Sequence, residues 1–202
     1  MQEKLFQAIN DAILATQKLK EPASIAFIQE AAQIITNAMN EGNKILIAGN
    51  GGSLCDAMHF SEELTGYFRG KRKALPAIAL CEPGHLTCVS NDTHFDDVFQ
   101  RSVEALGKEG DILVVLTTSG NSQNLVNAVK EAKDKKMKTI AFLGKTGGKL
   151  KDQCDLEWIV DGFQTSDRIQ EAHMAAIHIL IEMIEHLLFH NCIENVQQEV
   201  VL

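Results

Sequence analysis

The sequence has no excess of positive charge, no cysteine pair at metal-binding spacing and no long uninterrupted apolar run, and each absence removes a class of function. Lys and Arg number 19 against 27 Asp and Glu, a formal net charge of -8 with a pI near 5.3. Nucleic acid and anionic membranes both reward clustered cations, so neither is expected as the main partner. The one basic cluster, Arg69 to Lys73, is short and reads as a solvated loop, with a rim that attracts anionic substrates as the alternative. Five cysteines, at 55, 81, 88, 154 and 192, are odd in number and lack a C-x-x-C pair, which leaves neither a disulfide framework nor a cysteine zinc site. They are expected as buried or incidental thiols, Cys55 as a small core residue. No apolar stretch reaches the roughly 18 residues of a bilayer span, and the N-terminus Met1 to Phe6 lacks a basic region followed by an apolar one. A soluble, cytoplasmic protein is therefore expected. No internal repeat or low-complexity stretch is found, and 202 residues suit one domain with a core that needs no staples.

What is present centres on Lys44 to Glu63, an apolar run, a glycine turn and a polar-faced helix. Ile45, Leu46 and Ile47 are β-formers in a run too short for a buried helix. Gly49, Gly51 and Gly52 allow a sharp turn with exposed N–H groups, and Ser53 stands where a helix N-cap is expected. Unpaired donors at the positive end of a helix dipole suit an anion or a polyhydroxylated ligand. His59 and Glu63, four residues apart, share one helix face.

Before this stretch, two amphipathic helices are predicted, from about Glu3 to Lys20 and from Ser24 to Glu41, split near Glu21-Pro22 and closed by Gly42 as a C′ glycine. The first carries a stripe of Leu5, Ile9, Ala12, Ile13 and Leu19. They exceed what a sheet needs, so packing against another subunit is expected as well. After it, a strand is predicted over Leu75 to Leu80, with Pro76 tolerated near its start, and Cys81 to Asp97 reads as a polar, turn-rich segment containing Asn91-Asp92. A helix is predicted from Phe99 to Leu106. The β-prone run Asp111 to Leu116 leads into Thr117-Thr-Ser-Gly-Asn-Ser122 and a helix to about Lys135. Hydroxyls, a glycine and a helix start put several donors within reach of one phosphate, and a merely capped helix is the other reading. Strands at Thr139 to Leu143 and Leu156 to Val160 bring the count to five. Their alternation with helices predicts a parallel sheet covered on both faces, with ligands at the C-terminal ends of the strands. A final apolar helix, about Asp167 to Phe189, carries His173, His178 and His186, and the pattern alone allows His178 to pair with Glu182.

The motifs Gly49 to Ser53, Asp56 to Leu64, Asn91-Asp92, Thr117 to Ser122 and Asp167 to Glu171 with His178 closely resemble the phosphoheptose isomerases of the sugar isomerase (SIS) domain family. The likeness runs from the N-terminal helices to about Phe189, with the motifs in the family's order; the tail from His190 to Leu202 carries none. What the resemblance implies is a single SIS domain over 1–202, a three-layer α/β sandwich with a five-stranded parallel sheet. The helical extension would cover about 1–41, and the sheet and site about 42–190. It also implies conversion of sedoheptulose 7-phosphate into D-glycero-D-manno-heptose 7-phosphate through an enediol, toward the heptose of lipopolysaccharide. The implied metal is zinc on His59, Glu63, Gln170 and His178, in a homotetramer. The phosphate would lie on Thr117, Thr118, Ser119 and Ser122, and the sugar on Asn50, Gly51, Gly52, Ser53, Asn91, Asp92, Asp167 and Gln170. Glu63 is expected as the base and His178 as its partner. Thr117 stands where relatives often have Ser, and keeps the hydroxyl. Gln170 and His178 are eight residues apart, about 12 Å along a helix at ~1.5 Å per residue. One metal is reached more easily if Gln170 precedes the regular helix or a neighbouring subunit completes the site, so a site at a subunit interface is predicted. The rival readings are a non-catalytic SIS protein of the kind that associates with a replication initiator, which lacks the acid/base pair, and an isomerase or sensor for another phosphosugar.

Overall fold

The structure, a computed structural model, describes residues 1–190. The order of elements is α1 (Gln2–Gln17), α2 (Pro22–Asn40), β1 (Ile45–Gly49), α3 (Gly52–Thr65), β2 (Ala77–Ala79), α4 (Pro83–Asp92), α5 (Val98–Leu106), β3 (Ile112–Thr117), α6 (Gln123–Asp134), β4 (Lys138–Gly144), β5 (Leu156–Val160) and α7 (Ser166–Glu185). All strand pairs are parallel, in the order β2-β1-β3-β4-β5, with Ile45 opposite Ile112 and Ile112 opposite Lys138. The chain runs outward in one direction from β1 and in the other from β3. Crossovers therefore diverge between β1 and β3, and a crevice opens at the C-terminal ends of these two strands.

Side chains along β1 alternate between two cores, all of them buried. Ile45 and Ile47 face one core with Phe27 and Ile35 of α2, Phe60 and Leu64 of α3, and Ile177 and Ile181 of α7. Leu46 and Ala48 face a second core with Val98, Phe99 and Val103 of α5 and Leu125 and Val129 of α6. A strand buried on both faces needs an unbroken apolar run, which is what β1 and β3 have. Trp158 closes the first core, stacked on Phe27 and donating its indole N–H to Ser24 Oγ at 2.9 Å. Helix α2 ends as predicted: Gly42 takes φ +80°, Asn43 N donates to Ala38 O and Gly42 N to Met39 O.

Two expectations change. Residues 83–92 form a helix where the composition suggested turns. Pro83 supplies a preset φ in the first turn, and the Glu82 carboxylate accepts from the backbone of Gly84 and His85. Because α4 buries no residue fully, it leaves no apolar period in the sequence. Cys55 is exposed, on the outer side of α3, and so is Cys88. In α1, Leu5, Ile9 and Ile13 stay about half exposed and only Ala15 is buried. The segment Ser166–Phe189, α7 with the turn that follows it, is apolar enough by length and composition for a bilayer span. Ile169, Ala172, Ala176, Ile177, Leu180, Ile181 and Ile184 are nonetheless fully inside the protein, so it is a core helix.

Candidate active site

Two groups of side chains line the crevice, and the backbone explains both. The turn between β1 and α3 is sharper than the sequence suggested. Gly51, at φ +58°, is the residue before the helix, so α3 begins two residues earlier than a Ser53 cap would require. Ser53 is instead in the first turn, buried, with its Oγ 3.4 Å from Gln170 Nε2. A Cβ on Gly52 would lie 2.6 Å from the same amide nitrogen, so any larger residue here would displace the Gln170 amide from Ser53. Across the crevice, the loop after β3 is drawn into a tight curl. The Thr117 hydroxyl accepts from Gly120 N at 3.2 Å and Ser119 Oγ from Asn121 N. Ser122 precedes α6 without spending its hydroxyl on a cap.

These loops enclose a pocket of about 160 Å³ lined by Asn50, Ser53, Leu116, Thr117, Thr118, Ser119, Ser122, Ser166 and Gln170. No lining side chain carries a formal charge. An anion here meets hydroxyls, amides, backbone N–H groups and the N-terminus of α6, a donor set suited to a phosphate dianion. Asn124 and Ser166, absent from the sequence-based list, hold this pocket. The Asn50 and Asn124 amides exchange two hydrogen bonds of 3.0 and 2.9 Å, joining the glycine loop to α6. The hydroxyls of Ser166 and Thr118 are 3.0 Å apart, joining the β3 loop to α7. Asn124 does sit two residues past Ser122, inside a predicted helix start, which was the available signal.

The second group is carried by the helices. His59 Nε2 lies 3.0 Å from Glu63 Oε1, and His178 Nε2 lies 3.7 Å from the same oxygen. His59, Glu63 and His178 together offer two imidazole nitrogens and a carboxylate oxygen within 4.8 Å of one another. The other oxygen, Glu63 Oε2, is buried without a hydrogen-bond partner. A buried carboxylate oxygen left unsatisfied costs free energy unless something binds it. This cluster therefore fits a divalent cation or a substrate hydroxyl. His178 does not pair with Glu182, which engages Arg69 instead; it packs against Phe68, with ring centroids 6.0 Å apart, and against His59 at 5.2 Å. Three residues before His59, the half-buried Asp56 carboxyl is pushed up to about 6 by burial, an effect partly offset by His59, and its Oδ2 also lacks a partner. Gln170 stands inside the regular part of α7, at the pocket beside Ser53.

Three sequence-predicted residues stand apart from both groups. Asn91 and Asp92 end α4, exposed, with Asn91 Nδ2 donating to Asp92 Oδ1 and Cys88 Sγ to Asp92 Oδ2. Asp167 is exposed in the first turn of α7 beside Arg168. His173 is a core residue, as a lone histidine on a buried helix is expected to be. It is fully buried, its Nε2–H donates to Leu143 O, and desolvation holds its pKa down at about 4.

With this geometry in view, the likeness to known proteins has a structural meaning. Residues 8–144 match the SIS domain profile. Phosphoheptose isomerases from Fusobacterium nucleatum and Glaesserella parasuis are 52% and 53% identical to this chain. These alignments cover 80% and 89% of the chain, and 82% and 90% of the respective relative. Among solved structures, the phosphoheptose isomerase from Neisseria gonorrhoeae superposes with a TM-score of 0.85 at 37% identity, over 91% of this chain and 98% of that one. The phosphoheptose isomerase from Francisella tularensis gives 0.86 at 36% identity, over 91% and 97%. Matches of this extent and identity show the family, and the chain belongs to the phosphoheptose isomerases, aldose-ketose isomerases of the SIS domain family.

Proposed function

We propose that this chain interconverts sedoheptulose 7-phosphate and D-glycero-D-manno-heptose 7-phosphate, with the phosphate in the neutral pocket and the C1-C2 edge of the sugar over Glu63 and His178. The observation that carries this is the approach of Glu63 Oε1 and His178 Nε2 to 3.7 Å on two helices that flank a phosphate-sized pocket. Aldose-ketose isomerisation needs a base over two adjacent carbons and a proton carrier for their oxygens. Glu63 takes the C1 proton of the ketose, and the released electron pair forms the C1-C2 double bond of the enediol as O2 accepts a proton from His178. In the second half, the O1 proton returns to His178, the C1 carbonyl forms and Glu63 delivers its proton to C2. An imidazole suits this exchange because its unperturbed pKa lies near neutrality. Phosphate held at the far end supplies positioning at the reacting end.

His59, Glu63 and His178 would hold a divalent cation, zinc on the family resemblance, with Gln170 completing the set. Such an ion would withdraw electron density from a sugar oxygen. A carboxylate bound to metal is a weaker base, so Glu63 is read as base first and ligand second. The exposed apolar stripe of α1 supports a homotetramer. A groove of about 530 Å³ between α1 and α7, lined by Ala12, Ile13, Met174 and His178 among others, runs up to one member of the proton-transfer pair, His178. A neighbouring subunit covering it would close the site and bring Asn91, Asp92 and Asp167 to the sugar. The acidic chain, as a single SIS domain, is read as a cytoplasmic enzyme of lipopolysaccharide heptose synthesis. A non-catalytic SIS role would leave Glu63 and His178 unexplained. Incubation of purified protein with sedoheptulose 7-phosphate, followed by detection of the aldose, tests the reading; turnover of other ketose phosphates but not this one would overturn it. Elemental analysis of protein purified without added metal, beside His59→Ala, tests the cation.

A further inference from the structure

Arg72 belongs to the short basic segment that the sequence marks as a solvated loop, yet its side chain is only 6% exposed. Its guanidinium spends its donors on the C-terminal end of α3. Nη2 donates to Glu63 O at 2.6 Å, and Nη1 donates to Leu64 O at 2.8 Å and Gly66 O at 3.2 Å. These carbonyls lie at the end of the helix, where cations are favoured by unpaired acceptors and the helix dipole. Nε donates to Glu185 Oε1 on α7. Glu185 follows His178 by seven residues, two turns at 3.6 residues per turn, and so shares its face of α7. The two helices that carry the proton-transfer pair are thus fastened directly beside that pair: at Glu63 through its own backbone carbonyl, and at α7 two turns beyond His178.

We propose that Arg72 is a positioning residue for the isomerisation, a buried strut that sets the distance between Glu63 and His178. The planar fork does this because it engages carbonyls and a carboxylate at once. An ammonium, a point charge on a flexible stem, does not hold both in register. The phosphate pocket lies on the glycine loop and first turn of α3, β3, α6 and the start of α7, at the opposite end of α3 from the strut, so substrate affinity is untouched while the reacting groups lose alignment. The inference rests on Glu63 and His178 being the proton-transfer pair.

The experiment is steady-state kinetics on the full chain for Arg72→Lys, Glu185→Gln and Val103→Ala, with thermal unfolding of each. Val103 is fully buried in the opposite core, on α5, and serves as a control for destabilisation alone. Arg72→Lys is expected to lower kcat by about 10- to 100-fold, the scale of a small misplacement of reacting groups, with KM within about threefold. Glu185→Gln moves kcat the same way by about threefold, and decides the matter if Arg72→Lys does not fold. Val103→Ala keeps kcat within about twofold despite a lower Tm. Folded Arg72→Lys or Glu185→Gln protein with the parent's kcat, a rise in KM in place of a fall in kcat, or an equal kcat loss in Val103→Ala overturns the proposal. Glu63→Gln run alongside keeps the two ideas separate. If that variant remains active, the proton-transfer assignment fails; if it is inactive while Arg72→Lys matches the parent, only the strut fails.

Discussion

The phosphate-sized pocket and the His59, Glu63 and His178 cluster differ in how completely one chain builds them. The pocket is made from loop backbone and short hydroxyl or amide side chains, braced from several sides: Asn50 by Asn124, Thr118 by Ser166, and the curl at Gly120 by the turn at Gly147. The cluster consists of long side chains from two helices, with both imidazoles about two-fifths exposed and one carboxylate oxygen unsatisfied. The anchoring end is preformed, whereas the reacting end is left open for a substrate, a cation or a second copy of the chain to complete.

The sharpest way to break this contrast is at Glu63. Glu63→Gln keeps the shape of the cluster and removes the base, and is expected to lower kcat by about 10³-fold with little change in KM. A comparable rise in KM instead would mean that the carboxylate mainly binds. The pocket is broken at Gly120, where a Cβ would sit 1.8 Å from Gly147 O on a backbone at φ +65°. Gly120→Ala should raise KM by at least about tenfold, with the loop displaced from its phosphate-binding shape and kcat affected less. Introducing charge on the apolar stripe of α1, as in Ile9→Glu, should reduce the assembly mass in light scattering and lower activity by about tenfold. Binding of inorganic phosphate by calorimetry should be retained, because the pocket is complete within one chain.

The smallest effect on catalysis comes from the element that serves both ends. His173 anchors α7 between Gln170 and His178 by donating to Leu143 O. Its folded pKa of about 4 lies below the usual value of 6.5, so the unfolded chain binds the proton that the folded one refuses. The stability this contributes is complete above pH 6.5 and is lost as pH falls toward 4, by roughly 3 kcal/mol at most. Unfolding measured between pH 7 and pH 4 should show that loss, and His173→Gln, which keeps a donor for the carbonyl, should flatten it.

The strands, their parallel sheet and both loops were legible because buried strands and glycine or hydroxyl turns leave local patterns. The cluster of His59 and Glu63 followed from a four-residue spacing. What the sequence hid depends on distant partners. Asn124 looks like any polar residue in a first helical turn until Asn50 is opposite it, and Arg72 looks solvated until Glu185 and the end of α3 surround it. The helix over Pro83–Asp92 was hidden because it buries nothing, and the start of α3 was misplaced because Gly51, at a positive φ, takes the position expected of Ser53.

Everything proposed for the crevice depends on proton transfer at Glu63 and His178 while the phosphate is held elsewhere. It is tested most directly by incubating the ketose phosphate with the parent and with Glu63→Gln in D2O, measuring deuterium entry at C1 and C2 by NMR, and measuring binding of the same sugar phosphate by calorimetry. Deuterium is expected in the parent's substrate and product, none above background with Glu63→Gln, and affinities within about threefold of each other. Exchange at the parent's rate in Glu63→Gln, or loss of binding together with exchange, would contradict that assignment.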